Sequence, residues 1–320
     1  MQKIYSKGFN GWSQLAILLG FAGGGIILAS IVSIPVWKIM TNGSLLNMEQ
    51  DLLKTENANA ALLMQAISAV FVFFLPAVAF AFICFKNSWG FLGFKEKINP
   101  KLLLIVLLIV GCTIPLIGLL GELNKAIPLS AVRRAKFDAM EKKYNDLVMA
   151  MVQLKTWGQY FISLIIIAVL PAITEEVLFR GGLQNMLTRW LKSPWAAILI
   201  TSVLFSAIHL SWYGFLARFA LGAVLGLIFF QTKNIWLTIL AHFLNNGIVV
   251  TTMFVMARQG KPMNMAAEEN LPWAVGVAAL VLVVVLLLWL IKSSPKPVFD
   301  ENDTDYFDRN NPFDKRNKMA

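Results

Sequence analysis

Residues 171–209 read PAITEEVLFR GGLQNMLTRW LKSPWAAILI TSVLFSAIH, and this stretch decides the fold. It holds two apolar runs joined at Lys192-Ser193-Pro194, where a basic residue and a proline suit a helix boundary. Glu175, Glu176 and Arg180 stand in the first run, and His209 closes the second. Runs this apolar, carrying so few and so specific charges, read as an antiparallel helix pair in lipid with ionisable groups at mid-depth.

The same pattern repeats outward. Uncharged blocks cover 8–37, 57–85, 102–121, 156–174, 193–217, 219–232, 234–257 and 270–291. A spanning helix needs about 20 residues, and six of the eight blocks qualify. The block at 219 is short but extends backwards through Arg218, read as snorkelling to an interface. The block at 156 is interrupted by Pro171 and runs into two glutamates. Of the 320 residues, 58% are hydrophobic and 14% charged. A soluble domain is closer to half apolar and about a quarter charged, so a bilayer must solvate the excess. The expected fold is all-α, a polytopic transmembrane bundle of about eight helices.

The net charge of +10 does not point to nucleic acid, because the basic residues sit mostly in the gaps between blocks. There they anchor loops against anionic lipid and set topology. Cys84 and Cys112 lie inside apolar blocks with no metal or redox spacing and read as small fillers. Lys3 and Lys7 precede an uncharged run too long for a signal peptide, so it reads as a retained first helix. With the four lysines of residues 86–101, they favour both termini in the cytoplasm, in a bacterial cytoplasmic membrane. The seven basic residues of 122–155 run against that rule.

Three regions follow. Residues 1–155 hold three transmembrane helices and, over about 122–155, an amphipathic segment. Its stripe of Phe137, Met140, Tyr144, Leu147, Met151 and Leu154 has helical spacing and fits an interfacial helix or a cap on the bundle. Residues 156–291 hold the motif-bearing helical core, with the motifs within 171–250, and the last transmembrane helix. Residues 292–320 are too polar to fold alone and are expected to be disordered. The pairs Gly20/Gly24 and Gly222/Gly226 have the small-xxx-small spacing of close helix contacts.

An acid at mid-membrane costs about 3 kcal/mol on insertion scales, so each one needs a reason. Glu176 and Arg180 are four apart, share a helix face and can pair. Glu175 points about 100° away and is left for chemistry. Both histidines of the chain lie in apolar blocks. Glu175 and His209 are each 17 residues from Lys192 in opposite directions, which brings them to one depth in an antiparallel pair. His242 and Asn246 share a face of a later helix near that depth. Taken singly, these could be a structural ion pair and interhelical hydrogen-bond glue. Together they supply a carboxylate base for water, an imidazole beside it, and neutral donors for an oxyanion, the parts needed to hydrolyse a peptide.

The set Glu175-Glu176…Arg180, Phe205…His209 and His242…Asn246 resembles the EExxxR, FxxxH and HxxxN motifs of the CPBP intramembrane proteases. That family takes in type II CAAX prenyl endopeptidases and Abi-type, bacteriocin-processing proteins. The resemblance implies an eight-helix bundle around a polar cavity. It implies that Glu175 and His209 activate water and that His242 and Asn246 bind the oxyanion. Glu176 and Arg180 would be structural or position substrate, and Phe205 would line the cavity. It further implies an intramembrane endopeptidase acting on a membrane protein or peptide. Zinc on Glu175, His209 and His242 is the alternative to a metal-free reaction; with Glu176 committed to Arg180 no second base is left, so no cofactor is expected. The rival functions are a non-catalytic scaffold of the same fold and an ion-coupled transporter. No pair of similar halves supports the latter.

Overall fold

The structure is a computed structural model and describes residues 6–261 and 272–295. Lys3 and the tail from 296 onward, on which two of the expectations rest, lie outside the described residues.

The described residues are helical, with one isolated bridge between Ser6 and Phe85. The main helices are α1 (Gly11–Thr41), α2 (Thr55–Cys84), α3 (Pro100–Ala126), α4 (Ala131–Met151), α5 (Trp157–Leu191), α6 (Pro194–Ala207), α7 (Phe215–Thr232), α8 (Ile235–Arg258) and α9 (Trp273–Ser293). Seven are long and apolar enough to cross a membrane, and α6 is a shorter apolar helix. Hence the chain is a polytopic helical bundle. Against the expected count of about eight, seven helices are long enough to span, and the 193–217 block yields only the short α6. Leu19, Ile26, Ile27 and Ile31 of α1 are each more than half exposed, a surface that only lipid solvates cheaply.

Local chemistry sets the ends. Asn10, Asn99, Ser130, Ser193 and Asn234 each cap a helix start by accepting a backbone N–H. Thr156 and Gln159 form a reciprocal capping box at the start of α5. Lys192 and Lys233 end α5 and α7 in the left-handed conformation.

Two of the helices that contain a proline, α2 and α5, widen just before it, whereas α3 carries Pro115 without such a turn. A six-residue π-turn at Ala69–Phe74 precedes Pro76, and another at Leu164–Val169 precedes Pro171. Proline has no N–H and its ring crowds the carbonyl four residues back; a wider turn relieves both faults. So Pro171 does not break α5, which runs unbroken through the two glutamates to the Lys192 turn.

The boundary in 193–232 differs from the sequence reading. α6 ends at Ala207, and residues 208–214 form the connection to α7, which begins at Phe215. Arg218 therefore sits in the first turn of α7, which extends backwards through it as expected.

Gly222 and Gly226 are true close-approach sites. A Cβ on Gly222 would stand 3.1 Å from that of Ser202, and one on Gly226 would stand 2.8 Å from Gln184 Oε1. Gly20 and Gly24 meet nothing within 4 Å, so that pair is not a helix contact among the described residues.

The amphipathic segment is α4, and its apolar side packs on the bundle. Leu147 and Val148 join Met151, Ala61 and Leu62 in one cluster.

Candidate active site

The site begins with one turn of α5. Residues Val177–Gln184 form a third π-turn, containing the pair Gly181-Gly182, directly after the two glutamates. π-turns gather at functional positions because they re-aim side chains within a helix. Glu176 and Arg180 are both fully buried. Glu176 Oε1 lies 3.1 Å from Arg180 Nη1, the pairing expected from their spacing. The contact is an ion pair by distance, and the N–H is not aimed at the oxygen, since Nη1 makes no hydrogen bond.

α5 is fastened to α7 in matched register. Arg180 Nη2 donates to the Gly222 carbonyl at 3.3 Å, and Gln184 Nε2 donates to the Gly226 carbonyl at 2.8 Å. Donors four apart thus meet acceptors four apart, and the glycines let the backbones close enough for it.

The same Glu176 oxygen accepts from His242 Nδ1 at 3.0 Å. This links the first and third motifs through a contact that the sequence did not suggest. With its Nδ1 proton on Glu176, neutral His242 carries its lone pair on Nε2. His242 is 3% exposed, so this pairing is internal.

The second motif joins through Phe205, which is 1% exposed. Its ring meets the His209 ring edge-on at 5.3 Å and the His242 ring edge-on at 5.7 Å. Arg180 stacks over it at 4.6 Å. One phenyl ring thus holds both imidazoles and the buried guanidinium. Its carbonyl accepts from His209 Nδ1 at 2.8 Å, which fixes the neutral tautomer with the lone pair on Nε2.

His209 is not inside a helix. It follows the end of α6 by two residues, and Leu210 beside it has φ of +52°. A left-handed leucine costs about 1–2 kcal/mol and persists only where neighbours hold it.

Glu175 is half-buried, and its Oε2 is buried with no hydrogen-bond partner. It lies within electrostatic reach of His242, Arg180 and Arg218. His209 lies within reach of Arg218 and His242. Asn246 is half-buried on α8, and its Oδ1 accepts from Asn245 Nδ2 at 3.3 Å, leaving its own amide as the donor.

Arg218, within electrostatic reach of Glu175 and His209, is the residue that the sequence reading did not assign to the site. Its guanidinium stacks over the Tyr144 ring at 5.4 Å, and its Nη1 is buried without a partner. The available signal was its isolation, as the one Lys, Arg, Asp or Glu between Lys192 and Lys233.

Among the described residues no three His, Cys, Asp or Glu side chains are grouped to hold a metal ion, and Glu175, His209 and His242 form no such group. A cavity of about 530 Å³ lined by Thr55, Gln153, Lys155, Arg258 and Lys261 contains none of the motif residues. The site is defined instead by the side-chain contacts above.

These contacts fall in one segment. Residues 157–248 match the family model described as type II CAAX prenyl endopeptidase Rce1-like. This part of the chain is similar to that family. The match is consistent with the CPBP resemblance and contains all three motifs. Comparison with curated proteins and with solved structures gives no match. The Rce1-like segment covers α5 to most of α8, while α1 to α4 and α9 lie outside it. With seven helices long and apolar enough to cross a membrane, the chain is an integral membrane protein, and part of it is similar to a CAAX protease family.

Proposed function

We propose that the protein is an intramembrane endopeptidase that hydrolyses a peptide bond of a membrane-associated protein or peptide. The observation that carries this reading is the unpartnered, buried Glu175 Oε2 within electrostatic reach of His242, with Nε2 of both His242 and His209 uncommitted. An unpaired carboxyl oxygen in a protein interior is expensive, and a water held against it would satisfy it.

In this reading Glu175 takes a proton from water, with His209 Nε2 accepting from the same water. The water oxygen attacks the carbonyl carbon. The carbonyl π-electrons move onto oxygen, and the Asn246 amide donates to that oxyanion. His242 Nε2 can donate there only as the imidazolium, with Glu176 as counter-charge. The proton held by Glu175 then passes to the departing nitrogen as the C–N bond breaks. Glu176 and Arg180 hold His242 and Phe205 in place, and no step needs a metal.

The substrate comes from the membrane or its surface, and the enzyme sits in a bacterial cytoplasmic membrane.

The test is cleavage of a membrane-protein substrate by purified variants. Removing a general base lowers rate by about 10²–10⁴-fold, so Glu175→Gln and His209→Ala should each fall that far at wild-type folded yield. Wild-type rates in either variant would end this assignment. Ion-driven uptake in vesicles, with no cleavage, would favour a transporter.

A further inference from the structure

The His209 connection is held from outside the Rce1-like segment. α6 has 14 residues, a rise of about 21 Å. The hydrocarbon core is about 30 Å thick, so residues 208–214 begin within the membrane slab. Non-helical backbone at that depth persists only where protein covers it or where it lines water.

α4 is the cover. Phe137 stacks flat on Trp212, with ring centroids 4.6 Å apart and planes 5° apart. Glu141 Oε2 accepts from Ser211 Oγ at 2.7 Å, and Asp138 accepts from the Tyr213 hydroxyl. Tyr144 lies beneath the Arg218 guanidinium. Residues 137, 141 and 144 follow helical spacing, so one face of α4 meets this connection. Ser211 Oγ also accepts from the Gly214 N–H at 3.3 Å, bracing the turn from within. The left-handed Leu210 needs such restraint, and it adjoins His209.

We propose that α4 is a positioning element of the active site: through Phe137 on Trp212 and Glu141 on Ser211 it fixes the connection that carries His209. A helix that neither touches reacting atoms nor lies in the matched segment would thereby set the imidazole's orientation. The catalytic consequence rests on the peptidase reading; the positioning itself does not.

The chain has two histidines, so histidine-labelled protein in detergent gives one set of imidazole NMR signals each for His209 and His242. The variants are Phe137→Ala, Glu141→Gln and the conservative Phe137→Tyr. In Phe137→Ala and Glu141→Gln the His209 signals should shift and broaden while those of His242 stay in place. The value of kcat should fall about 10-fold or more, since an ångström of misplacement can cost about 100-fold, with KM within about twofold. Phe137→Tyr should restore both readouts. Unmoved His209 signals in both disruptive variants would overturn the proposal, whatever cleavage does. Moved signals with unchanged kcat in an active enzyme would also overturn it, because the orientation would not matter. If the wild type cleaves nothing yet the His209 signals move as stated, the peptidase reading falls and the positioning role of α4 stands.

Discussion

Glu176→Gln is the sharpest test of how the site is built. The substitution keeps the shape of the side chain and removes its charge. In the native protein one oxygen of Glu176 serves Arg180 Nη1 at 3.1 Å and His242 Nδ1 at 3.0 Å. Arg180 and Glu176 are both fully buried, and no other carboxylate pairs with Arg180 among the described residues. The variant therefore strands a guanidinium in the interior. Breaking a buried pair by removing one partner costs about 3–5 kcal/mol, which lowers the folded-to-unfolded ratio by at least about a hundredfold. The remaining Arg180 contacts, one carbonyl and one aromatic face, do not replace a counter-charge. Folded yield and the unfolding midpoint in mild detergent are the assays, run on Glu176→Gln, Arg180→Met and the double variant. The double variant should lose much less than the sum of the singles, because it no longer buries an unpaired charge. A Glu176→Gln protein with native yield, native midpoint and full activity would refute the pairing, as would strictly additive losses.

Phe205→Ala should cost about 3–5 kcal/mol in stability and most of the activity, since that ring holds both imidazoles and Arg180; a thermal melt beside a rate assay checks it. Gly226→Ala should destabilise by about 1–3 kcal/mol through overpacking against Gln184, whereas Gly24→Ala should be neutral or mildly stabilising, both read from unfolding midpoints. Purified protein should hold no stoichiometric zinc and should keep its rate after chelation. One bound equivalent by elemental analysis, with loss of cleavage on its removal, would restore the zinc reading of Glu175, His209 and His242.

The spans were legible because lipid solvates apolar runs in a way that length and charge alone reveal. The Glu176–Arg180 pair was legible because helical spacing puts four-apart residues on one face. What stayed hidden depends on contacts between distant segments. Nothing local says that Glu176 also receives His242, 66 residues on, or that Phe205 lies between two imidazoles. The stripe on α4 showed its apolar face but not its target at 211–218. The break at 208–214 and the stacking of Arg218 on Tyr144 likewise depend on packing between distant segments. The Gly222 pair faces another helix and the Gly20 pair does not, yet the two are identical as motifs.

The central claim is that Glu175 activates water for peptide hydrolysis within the membrane. The most direct measurement compares the termini of all membrane proteins between cells carrying the wild type and cells carrying Glu175→Gln at equal expression. New termini present with the wild type and absent with the variant are the predicted result. Identical terminus profiles, with both proteins folded in the membrane, would contradict it.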